Sequence, residues 1–231
     1  MTARKTKAKT KAKSAAKDDA VLKEAVLMAA LAHVPFDGFT DGVLARAGKE
    51  AGADKAVLAR LFPDGASSLV EAFSDWADGE MKARLAKAKL AAMKVRERIK
   101  TAVLARLAVL APHKEAARRA AAFLTLPPHA ALGMTLLYRT TDAMWRAAGD
   151  TSTDFNFYTK RAILAGVYSA TLMRWFTDDG KDERETKDFL ARRIDDVMRF
   201  EKFKADVKER AKSWPTLTDI IGGSARGGLR R

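Results

Sequence analysis

Three observations predict an all-α fold for this chain. Apolar residues recur at three- and four-residue spacings, no stretch alternates as a strand does, and Gly and Pro are sparse at 14 and 6 of 231 residues. Hydrophobic residues make up 48% of the chain, enough for a substantial core. The length suits one large or two small domains, and no linker composition separates two.

Residues 1–18 are low-complexity and basic, and are expected to be a disordered tail. Arg4, Lys5, Lys7, Lys9, Lys11, Lys13 and Lys17 supply seven of the net +14 charges. Such a tail attracts polyanions, whether nucleic acid or an acidic lipid surface, and serves equally well as a solvated solubility segment. No apolar segment follows it, and it is rich in Lys rather than Arg. It therefore reads neither as a secretory signal nor as a transit peptide. The expected setting is a bacterial cytoplasm with peripheral association to the inner membrane.

Residues 19–76 are expected to form a helix-turn-helix module. A first helix starts near Asp19 and is broken by Pro35-Phe36-Asp37-Gly38. Thr40 is placed to N-cap a short helix through Ala51, and Asp54, after the Gly52-Ala53 turn, to cap a helix over 55–62. The turn Phe62-Pro63-Asp64-Gly65 precedes a helix with Leu69, Val70, Phe73 and Trp76 on its apolar face.

Residues 77–212 are expected to form a larger helical ligand-binding bundle, with helices over 93–110, 112–124, 129–148, 155–177 and 184–210. Asp178-Asp179-Gly180 stops the fourth of these. Residues 213–231 form a flexible Gly- and Arg-rich tail. Within it Leu217, Ile220 and Ile221 share one helical face, Trp214 suits headgroup level, and five basic residues precede them from Lys202 to Lys212. These four apolar residues are the expected membrane contact. The competing reading is a helix end packed on its own domain.

Catalytic constellations are missing from the sequence. There is no cysteine, so disulfides and thiolate metal sites are excluded. His33, His113 and His129 are widely spaced, and no metalloprotease, P-loop, nucleophile-elbow or dinucleotide motif is present. The chain is expected not to be an enzyme and to hold no metal or cofactor. No apolar run approaches the about 20 residues needed to span a bilayer.

The most distinctive run is Asp154-Phe155-Asn156-Phe157-Tyr158-Thr159-Lys160-Arg161-Ala162, at the mouth of the most apolar helix. Small residues, Gly166 among them, thin one face of that helix. Leu132, Leu136, Met144, Ile163, Gly166, Val167 and Leu172 are the candidate lining of an apolar pocket, Met being a common lining of adaptable sites. A packed core would use the same residues. Asp154, Asn156, Phe157, Tyr158 and Arg161 are the candidate partner surface. Tyr158 and Arg161 are three apart on one face, a frequent hot-spot pairing, although Asp154 also suits a plain N-cap.

Two resemblances meet in the sequence. Phe39 to Phe73, with the Ala51-Gly52 and Phe62-Pro63 turns, resembles the N-terminal module of TetR-type regulators. The run from Asp150 to Arg161, Leu164-Ala165-Gly166-Val167-Tyr168, and Thr186 to Ile194 resemble the coenzyme Q accessory lipid-binding protein family. That resemblance covers nearly all of 19–210. It implies a TetR-like homodimer that binds an isoprenoid lipid or quinone precursor and helps the ubiquinone-pathway hydroxylase reach its membrane-bound substrate, any di-iron chemistry belonging to that partner. The tunnel reading of the apolar residues rests partly on this resemblance. Several members carry Trp where this chain has Phe157, which keeps the aromatic anchor and loses the indole N–H.

The alternative is a TetR-type transcription regulator with an apolar effector pocket. A DNA reader needs polar side chains on its recognition helix. Between Asp54 and Phe62 only Lys55 and Arg60 qualify, and they point to different faces. DNA binding is accordingly not expected, although a basic N-terminal arm can enter a minor groove.

Overall fold

The computed structural model describes residues 2–153 and 155–212, with side chains described over 17–153 and 157–199. Nine α-helices follow in order among the described residues: α1 (Thr2–Asp37), α2 (Asp41–Glu50), α3 (Lys55–Leu61), α4 (Ala66–Ala86), α5 (Val95–Leu110), α6 (Lys114–Thr125), α7 (Ala130–Ala147), α8 (Phe155–Phe176) and α9 (Arg184–Lys212). No strand occurs among them. No single helix is long and apolar enough to cross a membrane.

The first helix differs from expectation. It begins at Thr2 rather than near Asp19, so the basic segment is part of α1 instead of a disordered tail. Alanine and lysine are strong helix formers, a propensity that charge alone does not reveal.

The caps form as the residue types require. Thr40 Oγ1 accepts from the Val43 N–H at 3.2 Å, and Asp54 Oδ1 from the Val57 N–H at 2.8 Å. Gly65 precedes α4 at φ +55°, a conformation that side chains rarely adopt. A Cβ there would also strike the Asp41 carboxylate. That carboxylate accepts from the Ala66 N–H at 2.8 Å and so serves an orphan donor of α4.

One continuous buried cluster runs from Val26 on α1 to Leu190 on α9. α4 passes through the expected boundary at residue 76 and packs on α1, α5 and α7. α7 packs on α8, and α8 on α9, while α5 touches both α7 and α9. This layering leaves spaces between α4–α8 and between α5, α8 and α9.

Candidate functional site

Two apolar cavities lie in the bundle. The first, about 460 Å³, sits among α4, α5, α6, α7 and α8. Phe73, Leu110, Leu124, Leu136, Leu137 and Leu172 form its walls, with the exposed Met134 and Met173 on its lining. The second, about 560 Å³, lies between α5, α8 and α9. Ile99, Trp145, Ile163, Val167, Ile194 and Met198 line it, and Lys94, Arg96 and Lys160 add charge. Both have the size and apolar character of small-molecule sites.

The expected pocket residues divide between these spaces. Leu136 and Leu172 line the first cavity, and Ile163 and Val167 the second. Met144 is wholly buried in the core, and Leu132 is half-buried against it, so neither lines a cavity. Gly166 faces outward, with nothing within 4 Å of a Cβ built on it. The small residues of α8 therefore thin its outer face instead of widening a single tunnel.

The first cavity has a polar floor that the sequence reading missed. Arg106 is buried and pairs with Asp78, Nε to Oδ1 at 2.8 Å. Its Nη1 donates to the Tyr168 hydroxyl at 2.9 Å, and its Nη2 to Ser74 Oγ at 3.1 Å and Thr140 Oγ1 at 3.2 Å. Thr140 in turn donates to Asp78 Oδ2 at 3.0 Å. Burial opposes the charge on Arg106, but Tyr168 and Asp78 outweigh it and raise its pKa. Burial pushes the Tyr168 phenol upward, so it keeps its proton at neutral pH. The available signal was a charged residue inside the α5 stripe of Ile99, Val103 and Leu110.

The candidate partner patch is not one surface. Tyr158 is 64% exposed, whereas Arg161 is 2% exposed. Arg161 binds Asp142 on α7 at 2.7 Å and Asp150 in the following loop at 3.1 Å, and it also donates to the Phe157 carbonyl at 3.0 Å. This corrects the expectation of an exposed Arg161: two carboxylates outside its own helix draw it inward. Phe157 lies beneath its guanidinium and edge-on to Tyr158. Asp154 lies outside the described residues, as does the side chain of Asn156. Trp214, Leu217, Ile220 and Ile221 also lie outside them.

Lys160 completes the loop anchor by donating to Asp150 Oδ1 at 2.8 Å and Ser152 Oγ at 2.7 Å. Burial alone would raise the Asp150 pKa, but Lys160, Ser152 and Arg161 outweigh it and hold the carboxyl well below the usual range. On α3, Arg60 pairs with Asp19 of α1, which takes one of the two candidate DNA contacts into an intramolecular bond. No cluster of His, Cys, Asp and Glu suited to a metal ion occurs among the described residues.

Comparison with known proteins accounts for the second half of this architecture. Residues 130–201, covering α7, α8 and much of α9, match the family model COQ9. Over that segment the chain is similar to the COQ9 family. It is 36% identical over 184 residues to the mitochondrial ubiquinone biosynthesis protein COQ9 of Bos taurus, covering 77% of this chain and 57% of that protein. To the Xenopus tropicalis protein of the same description it is 31% identical over 211 residues, covering 88% of this chain and 65% of that one. The chain thus spans about three fifths of the length of these curated relatives. Among solved structures, a TetR transcriptional regulator from Nitrosomonas europaea ATCC 19718 matches with a TM-score of 0.61 at 19% identity, covering 74% of this chain and 95% of that one. That likeness shows the fold, and the COQ9 match bears out the family resemblance carried by the motifs. One expectation is overturned. The relatives are named as mitochondrial proteins of animals, so the bacterial cytoplasm read from the basic segment does not stand. Lysine-rich composition gave that segment a charge, not an address.

Proposed function

We propose that this protein is a non-catalytic accessory factor of ubiquinone biosynthesis that binds an isoprenoid quinone precursor and presents it to a membrane-associated hydroxylase. The observation that carries the reading is the apolar cavity of about 460 Å³, walled by leucines and bounded by α7 and α8 within the COQ9-matched segment. A chain-like apolar ligand filling it would remove that surface from water at about 25 cal/mol per Å². Tyr158, exposed at the start of α8 beside the half-buried Phe157, is the leading described candidate for the hydroxylase contact. Homodimer formation and contact with the membrane through Trp214, Leu217, Ile220 and Ile221 belong to the same proposal.

The DNA-binding reading is weaker. α3 exposes Lys55, Ala56, Ala59 and Arg60, and Arg60 is already paired. The test is genetic and chemical together. Cells lacking the protein should accumulate the precursor that has not been hydroxylated, and return of the gene should clear it. Normal quinone levels without the protein would overturn the reading.

A further inference from the structure

The cavity among α4–α8 is apolar on its walls and polar on its floor, and a buried hydroxyl of that floor has an unused donor. Tyr168 is 4% exposed and lines the cavity together with Ser74, Arg106 and Thr140. Its hydroxyl oxygen accepts from Arg106 Nη1 at 2.9 Å. A phenol can also donate once, and no acceptor for that proton occurs among the described residues. Thr140 donates to Asp78 and accepts from Arg106, while Ser74, which also only accepts from Arg106, is half-buried where Tyr168 is buried. A donor left unpaired in a dry site costs free energy, and a ligand that supplies the acceptor recovers it.

The charge balance of the floor narrows the ligand. Arg106 is matched by Asp78, with both side chains 7% exposed. A carboxylate or phosphate would bring an unmatched negative charge into a buried site. A neutral acceptor oxygen would not.

We propose that the Tyr168 phenol is the headgroup contact of this cavity, donating its free proton to a neutral carbonyl or ether oxygen at the end of an apolar chain. This rests on the lipid-binding reading above and adds to it the orientation of the ligand, oxygenated end inward against the floor and apolar chain along the leucine walls. It also makes Tyr168 a specificity determinant: without its O–H, the cavity would favour ketone over hydrocarbon less.

The test uses the full chain and probes of matched prenyl chain: a methyl ketone, a hydrocarbon and a carboxylate, each titrated by displacement of a polarity-sensitive dye. The ketone is expected to bind best. In Tyr168→Phe its affinity should fall about three- to tenfold, the range of one neutral hydrogen bond, with hydrocarbon affinity unchanged. A prenylated benzoquinone and a fatty-acid methyl ester separate the two sources of such an oxygen, since the natural type should show the larger fall. An unchanged ketone-to-hydrocarbon ratio in the variant overturns the proposal while leaving lipid binding intact. Binding of no apolar probe by the wild-type protein overturns both. Should Tyr168→Phe fail to fold, infrared spectroscopy of the ketone bound to wild-type protein decides. A carbonyl stretch lowered relative to hexane is expected, and a hexane-like frequency overturns the proposal.

Discussion

The guanidinium of Arg161 lies over the ring of Phe157, its central carbon 3.4 Å from the ring centroid, while its nitrogens bind Asp142 and Asp150. One side chain thereby ties the first turn of α8 to α7 and to the loop between them.

Charge reversal there should unfold this corner. Arg161→Asp leaves buried carboxylates facing one another and should cost about 3–5 kcal/mol, read as a large drop in melting temperature. Tyr158→Ala should move stability by no more than about 0.5 kcal/mol, because the ring is exposed, and should weaken capture of the hydroxylase in a pull-down. A stable Arg161→Asp protein would show that the cluster does not anchor α8.

The same loop should be acid-sensitive. Folding holds the Asp150 carboxyl below its unfolded value of about 3.9, so the unfolded chain takes up the proton first. Its contribution is full above that value and is lost as pH falls toward the folded pKa. Melting temperatures between about pH 6 and pH 3 should fall more steeply below pH 4 for wild type than for Asp150→Asn. Parallel profiles would remove Asp150 from the account.

Arg106 and Asp78 form the pair beneath the first cavity. Asp78→Leu alone should destabilise by about 3–5 kcal/mol, since it strands a buried cation. Adding Arg106→Met should recover much of that loss, because two apolar residues leave no charge uncompensated. Denaturant melts of the two variants check both statements.

The helix-turn-helix should not read DNA. Retention on DNA through the basic residues should vanish as salt is raised to about 150 mM, as counterion-driven binding does. Lys55→Ala with Arg60→Ala should remove no salt-resistant binding. A specific footprint lost in that double variant would favour a regulator.

The fold was legible where punctuation is local. Thr40 and Asp54 cap the helices they were placed to cap, and α5 to α9 lie within two residues of the expected bounds. Burial that depends on another element was not. Arg161 shares a helical face with Tyr158, and only Asp142 and Asp150, on other elements, pull it inward. Gly166 has the small-residue spacing of a thinned wall, yet its face points outward, which helical periodicity alone does not reveal. Arg106 was hidden by the apolar stripe around it, and its partner Asp78 lies 28 residues away.

The cavity among α4–α8 should hold an isoprenoid precursor, and mass spectrometry of an organic extract of purified protein shows whether it does. Leu172 lines that cavity, whereas a side chain at Gly166 meets only open space. Wild type should carry a co-purifying prenylated compound, Leu172→Trp should lose most of it, and Gly166→Trp should retain it. An extract free of prenylated compounds, or equal amounts from wild type and Leu172→Trp, would contradict this occupancy of the cavity.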